Sequence, residues 1–96
     1  MESYAEVDVI EFVKLMKDCL QARTDAQQYR RSYFELMKKP AAIPSEDVSR
    51  ILQQAYDDAD DYDPAIRLPY TIEEPELKRR VSNSVKELEA RGYRVE

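Results

Sequence analysis

Apolar residues recur every three or four positions in four segments of this 96-residue chain, and short polar or proline-containing breaks separate the segments. That spacing places the apolar side chains on one face of an α-helix. Such helices must bury their apolar faces against each other, and short connections favour antiparallel neighbours around one core. We therefore predict an all-α, antiparallel four-helix bundle, with residues 1–96 forming one domain.

Local signals predict the ends of the first two helices. The first helix is expected from about Val7 to about Arg23, where its apolar periodicity stops. Thr24 is then predicted as the N-cap of the second helix, with Gln27 three residues later completing a capping box. The second helix is expected to end near Lys39, and the short break between the two helices predicts a helical hairpin.

The third and fourth helices have similar signals. Ser45 is predicted to cap the third helix, which is expected to continue to roughly Ala59. The irregular segment 63–74 follows, and its alternating apolar residues favour an extended connection across the bundle. Pro75 suits the first position of the fourth helix, and Gly92 suits the C′ position just beyond its end.

The composition excludes several kinds of site. The chain has no His, one Cys and one Gly, so zinc sites, His-based catalysis and phosphate-binding glycine loops cannot be built from it. A net charge of −5 argues against direct nucleic-acid binding and favours basic partners. There is no apolar run of membrane-spanning length and no signal-peptide pattern, so we expect a cytoplasmic protein without a cofactor or membrane contact.

The densest charge lies in Tyr56 to Asp63, which reads Tyr-Asp-Asp-Ala-Asp-Asp-Tyr-Asp. The preceding helical spacing puts these acids on the last turn of the third helix and just past it. A helix C-terminus carries partial negative charge, so each carboxylate there costs a few tenths of a kcal/mol. Like charges one turn apart, such as Asp57 and Asp61, add a similar cost. A cluster that weakens its own helix suggests a surface for a cationic partner.

Other interpretations of these acids were weighed. An EF-hand starting at Asp58 would put Asp63 at the glycine position and Pro69 at the glutamate position, so a calcium loop fails. Paired-carboxylate catalysis would need an apolar pocket, which the sequence does not supply, and we expect no catalytic residue. A merely solvated helix end remains possible. Tyr62 is the better interface candidate, because Tyr56 also fits the apolar stripe of the helix.

Two basic groups have a simpler interpretation. Arg30 and Arg31 on the second helix and Lys78, Arg79 and Arg80 on the fourth helix are expected to offset acids on neighbouring helices. No partner is needed to explain them. We therefore interpret these groups as part of the charge balance within the protein.

The order of motifs resembles the colicin D immunity protein family, the self-protective colicin-like immunity proteins. The resemblance rests on Tyr29-Arg30-Arg31, on the stretch from Leu52 to Pro64 that contains the acidic run, and on Tyr70 to Leu77 opening the last helix. It extends over about residues 7–91. It implies a helical immunity protein that binds the catalytic domain of a tRNA-cleaving toxin and covers its basic active site with an RNA-like acidic surface.

Together, the interface interpretation and the resemblance give one set of expected partner-binding residues. They are Asp57, Asp58, Asp60, Asp61, Tyr62 and Asp63, with Glu73, Glu74 and Glu76 as a secondary group. The expected partner is a cognate nuclease toxin domain with a basic active site. The alternative is a small acidic helical adaptor or regulator that binds a different basic protein.

Overall fold

The computed structural model describes residues 7–39, 41–42, 45–63, 69 and 71–95 of the chain. Within these residues the chain forms four helices, α1 (Val9–Leu20), α2 (Ala26–Met37), α3 (Glu46–Asp61) and α4 (Glu74–Ala90). Two short strands, β1 (Val7–Asp8) and β2 (Ala41–Ala42), pair in parallel. The predicted all-α four-helix bundle is confirmed, with this small strand pair as an unpredicted addition.

The helices pack as a ring in which α1 and α3 each lie mainly against α2 and α4. Contacts between side chains and backbone show the relative direction of α2 and α3. The hydroxyl of Tyr33 donates to the carbonyl of Leu52 at 2.8 Å, and Arg30, one turn earlier in α2, donates to Ala59, two turns later in α3, at 3.2 Å. These two helices are therefore antiparallel.

Aromatic residues of α1 and α2 form the centre of the core. Tyr33 lies between Phe12 and Tyr29, with ring centroids 5.4 and 5.7 Å from its own. All three are 0 % exposed, and their tilted rings have the geometry that aromatic pairs prefer. The Tyr29 hydroxyl has no hydrogen-bond partner among the described residues, whereas the Tyr33 hydroxyl has one. Of the two buried tyrosine hydroxyls, that of Tyr33 is therefore hydrogen-bonded within the described residues and that of Tyr29 is not.

The structure corrects the predicted start of α1. The helix begins at Val9 rather than at about Val7, because Asp8 is its N-cap. The Asp8 carboxylate accepts a hydrogen bond from the Ile10 N–H at 3.1 Å, and the Asp8 N–H donates to the Glu11 carboxylate at 3.1 Å. This reciprocal capping box satisfies backbone donors that the first turn would otherwise leave without partners.

The predicted cap of α2 was wrong by one residue. Asp25, rather than Thr24, is the N-cap, and its carboxylate accepts a hydrogen bond from the Gln28 N–H at 2.8 Å. The expected capping box with Gln27 is therefore not formed. An aspartate serves this position well, because its negative charge also interacts favourably with the positive end of the helix dipole.

Both α1 and α4 end in the same left-handed turn. Gly92 has φ +97°, and the N–H groups of Gly92 and Tyr93 donate to carbonyls of the last turn, which forms a Schellman motif. The predicted C′ glycine is therefore confirmed. In α1 the equivalent position is Ala22, at φ 59°, so that helix ends at Leu20 rather than near Arg23.

The remaining helix ends lie close to the predicted positions. Ser45 caps α3 as predicted, but the helix continues to Asp61, beyond the expected end. The start of α4 at Glu74 puts Pro75 in the second position rather than the first. Most of the irregular segment predicted between α3 and α4, including residues 64–68, lies outside the described residues.

Candidate partner-binding surface

The end of α3 meets the start of α4, and this junction gathers most of the predicted site residues. The Ile72 N–H donates to the Asp61 carbonyl at 3.0 Å, which holds the chain before α4 against the last turn of α3. We call this region the acidic end of the bundle. It contains Asp57, Asp58, Asp60, Asp61, Tyr62, Asp63, Glu73, Glu74 and Glu76.

Exposure divides these residues into three groups. Asp57, Asp60, Glu73 and Glu74 are exposed. The other residues, apart from Asp58, are half-buried. Asp58 is only 4 % exposed, so its carboxylate faces the interior of the α3–α4 contact rather than solvent. The acidic run is therefore not one uniform surface.

Arg80 of α4 holds three carboxylates together, and we call this group the Arg80 cluster. Its Nη1 lies 3.3 Å from Asp58 and 3.2 Å from Asp61, while its Nε donates to Glu76 at 2.9 Å. Asp58 also accepts a hydrogen bond from Gln54 at 3.0 Å. Burial raises the pKa of Asp58, although its hydrogen bonds from Gln54 and Arg80 oppose that rise. The cluster joins the two helices through charge.

Glu76 shows the strongest effect of these pairs. Its carboxylate accepts hydrogen bonds from both Arg79, at 2.6 Å, and Arg80, and these lower its pKa to about 2. Lys78 pairs with Glu74 at 3.3 Å. The basic group of α4 therefore does offset acids, as interpreted from sequence. Only Arg80 reaches a neighbouring helix, however, since Lys78 and Arg79 pair within α4.

Arg30 of α2 lies on the other side of the acidic end. We call Arg30 and the residues that it contacts there, Asp60, Asp63 and Phe34, the Arg30 cluster. The Nη2 of Arg30 lies 3.8 Å from both Asp60 and Asp63, and its Nε donates to the Ala59 carbonyl at 3.2 Å. The guanidinium carbon also lies 4.7 Å from the centroid of the Phe34 ring. A cation at the C-terminus of α3 counteracts the helix dipole. The cost expected for acids at this helix end is therefore partly offset.

Three residues of the acidic run, Asp57, Tyr56 and Tyr62, differ in how far they face water. Asp57 is exposed and forms no ion pair with any residue in the described part of the chain. Tyr56 is half-buried and packs its ring on Phe34 at a centroid distance of 5.1 Å. Tyr62 is also half-buried and packs against the core. Both tyrosines thus contact the core and water, so burial does not separate them as interface candidates.

The sequence analysis did not identify the contact between Phe34 and Arg30 or the burial of Asp58. Phe34 lies one turn after Arg30 in α2, so the Arg30 guanidinium can pack over its ring. Asp58 follows Ile51 by seven residues and Ala55 by three, which is the spacing of the buried face. That spacing was the available indication of burial.

The described residues offer charge and aromatic contact rather than an obvious chemical centre. Among them, no group of three or more Cys, Asp or Glu side chains could hold a metal ion. Burial raises the pKa of the Cys19 thiol to about 11, so this thiol stays protonated at neutral pH. None of the helices in the described ranges has the length and apolar character to cross a membrane.

Fold and surface together define a small helical bundle with one acidic end. Comparison with protein families then identifies the chain more closely. The model of the bacterial self-protective colicin-like immunity family matches residues 7–88, which is most of the chain. The chain therefore belongs to this family, and membership implies protection against a colicin-type toxin. Neither the curated proteins nor the solved structures contain a significant match.

Proposed function

We propose that this immunity protein binds the catalytic domain of a tRNA-cleaving nuclease toxin in the cytoplasm and blocks its basic active site. The observation that carries the proposal is the concentration of carboxylates at one end of a bundle that belongs to an immunity family. A nuclease binds phosphate through lysine and arginine, and carboxylates form the same charge-assisted hydrogen bonds. An acidic surface can therefore occupy the subsites of the RNA backbone.

The proposed contact surface divides the predicted residues by role. Asp57, Asp60, Asp63, Glu73 and Glu74 make the outward contacts, with Tyr62 as an aromatic contact. Asp58, Asp61 and Glu76 are held by Arg80 and support the shape of the surface. Charge opposition speeds the encounter of the two proteins, so the association rate is expected to fall as salt rises. A protective complex needs nanomolar or tighter affinity, about −12 kcal/mol.

The test uses a nuclease toxin domain encoded next to the gene for this chain. We expect the purified chain to stop tRNA cleavage at a one-to-one ratio. The double variant Asp57→Asn/Asp60→Asn should weaken binding at least tenfold, because it removes two exposed carboxylates while leaving the Arg80 cluster intact. Titration calorimetry and a tRNA cleavage assay measure the two effects.

A matched control removes two exposed carboxylates elsewhere. Glu46 and Asp47 are exposed and lie in the first turn of α3, at the opposite end of that helix from the acidic end. Glu46→Gln/Asp47→Asn makes the net charge less negative by the same amount and should change affinity less than threefold. Equal losses in both double variants would indicate a general charge effect and contradict a specific site. Failure of the parent chain to bind the toxin would favour the adaptor alternative.

A further inference from the structure

A groove between α2 and α3 lies beside the acidic end. It is lined by Phe34, Met37, Lys38, Gln53 and Tyr56 and has a volume of about 330 Å³. The rings of Phe34 and Tyr56 meet at 5.1 Å with an interplanar angle of 43°, and both side chains are half-buried. We call this feature the aromatic groove. Both rings pack partly against the core, and the Arg30 guanidinium lies 4.7 Å from the centroid of Phe34, so the groove presents the remaining ring surface to solvent.

The aromatic groove leads directly to negative charge. Asp60 follows Tyr56 by one helical turn, and Asp57 is the next residue along α3. Both carboxylates are exposed, and Asp60 is held by Arg30 only at 3.8 Å, beyond ordinary hydrogen-bond distance. The single guanidinium of Arg30 therefore lies near at least two carboxylates, those of Asp60 and Asp63. Lys38 also lines the groove, but it pairs with Glu35 at 3.8 Å, so the surface beside the groove keeps a negative excess that complements a basic partner.

The groove between α3 and α4 is different in character. Among the described residues it is lined by Gln54, Asp58, Arg80, Asn83, Ser84 and Glu87, none of which is aromatic. Its most enclosed carboxylate, Asp58, already accepts from Arg80 at 3.3 Å and from Gln54 at 3.0 Å. A basic partner would have to break these contacts and would find no aromatic surface among these described lining residues. This face is therefore the poorer of the two for docking.

Protein interfaces commonly place aromatic anchors at the centre and charged groups at the rim. Lysine and arginine suit such a place, because their methylene stems cover apolar surface while the charged head reaches a carboxylate. We propose that the aromatic groove receives a basic segment of the toxin, whose lysine or arginine lies across Tyr56 and Phe34 and pairs with Asp60 or Asp57. This inference rests on the proposed function and adds the face that holds the toxin.

Two substitutions that add one positive charge to opposite faces test the inference. Gln53 is exposed and lines the aromatic groove, and Asn83 is exposed and lines the groove between α3 and α4. Both are neutral helical residues, so Gln53→Lys and Asn83→Lys change the net charge equally. With the toxin domain described above, made inactive, Gln53→Lys should weaken binding at least tenfold and Asn83→Lys less than twofold. Circular dichroism and thermal melts check that both variants are folded.

The outcomes separate this inference from the proposed function. If the parent chain binds the toxin but the two variants lose affinity equally, or Asn83→Lys loses more, the aromatic groove is not the docking face. The immunity function would then stand without it. If the parent chain does not bind the toxin at all, the proposed function and the inference both fall. A loss confined to Gln53→Lys supports both.

Discussion

Two arginines serve the acidic end of the bundle, and they hold their carboxylates differently. Arg80 lies 2.9 to 3.3 Å from the oxygens of three carboxylates, one of which is buried. Arg30 lies 3.8 Å from the carboxylates of Asp60 and Asp63, and its Nε donates a hydrogen bond to the backbone carbonyl of Ala59. Both clusters therefore join helices, but the Arg80 cluster does so through short ion pairs that include a buried carboxylate, whereas the ion pairs of the Arg30 cluster are longer and nearer water.

This difference separates structural acids from available acids within one short run of sequence. Asp58 and Asp61 belong to the α3–α4 contact, and neutralising them is expected to alter the fold as well as any binding. Asp60 is 63 % exposed on its side chain and only loosely paired, so it can change partners at little structural cost. A binding study that mutates both kinds together would confuse stability with recognition.

The largest expected effect breaks the Arg80 cluster. Arg80→Met should lower the free energy of unfolding by about 3 kcal/mol, because it leaves Asp58 buried without its compensating charge. Urea denaturation followed by circular dichroism measures this. Arg79→Met is the matched control, because Arg79 is an exposed neighbour that pairs, within the described part of the chain, with Glu76, and it should cost less than about 0.5 kcal/mol.

The assignment to Asp58 has its own check. Asp58→Asn in the Arg80→Met background should recover about 1 kcal/mol or more, because the uncompensated charge is then gone. A loss below about 1 kcal/mol for Arg80→Met, with no recovery in the double variant, would contradict the structural role of this cluster.

The Arg30 cluster should show a smaller effect. Arg30→Met is expected to cost about 1 kcal/mol, through the lost hydrogen bond to Ala59 and the lost contact with Phe34. No buried carboxylate is left without a partner, since Asp60 and Asp63 keep access to water. Thermal and urea unfolding measure the change, and Arg31→Met, at an exposed neighbouring site, is the control. A cost equal to that of Arg80→Met would erase the distinction between the two clusters.

The smallest effect concerns pH and sharpens the contrast further. The pKa of Glu76 in the folded chain is about 2, below its ordinary value of 4.5, so its stabilisation is complete above pH 4.5 and is lost as pH falls toward 2. The raised pKa of Asp58 acts in the opposite direction, because its folded form takes up a proton more readily. Glu76→Gln should therefore flatten the loss of stability between these pH values.

Urea midpoints measured across that acid range provide the test. Glu87→Gln, on the same helix but outside the Arg80 cluster, should retain the pH dependence of the parent chain. If Glu76→Gln has the same slope as the parent chain, the hydrogen bonds from Arg79 and Arg80 do not favour its charged form in solution.

Local features of the sequence were enough to predict the helices. The Ser45 cap and the C′ position of Gly92 depend only on nearby residues, and both predictions are confirmed. Where two adjacent residues can play the same part, as Thr24 and Asp25 can, local reasoning cannot choose. The choice depends on which side chain reaches the Gln28 N–H once the turn before α2 has formed.

The inner arrangement of the acidic end was harder to predict. Asp58 and Asp60 look alike in the sequence, but their environments differ because Arg80 lies 22 residues beyond Asp58 and enters only through helix packing. The general balancing of charge was foreseen, whereas the partner of each acid was not. Side-chain pairing across helices depends on rotation and register, which apolar periodicity specifies only coarsely.

Arg30 lies 3.8 Å from the Asp60 carboxylate, and this long ion pair affects how much affinity a basic partner can gain at Asp60. In the proposed complex, a toxin lysine at Asp60 would meet a carboxylate that already lies 3.8 Å from Arg30, so binding there would exchange one cation for another. Only the difference between the old and new pairings contributes to affinity. Arg30 therefore disfavours weak partners. A basic protein whose ion pair with Asp60 is no stronger than that of Arg30 gains little affinity by displacing it.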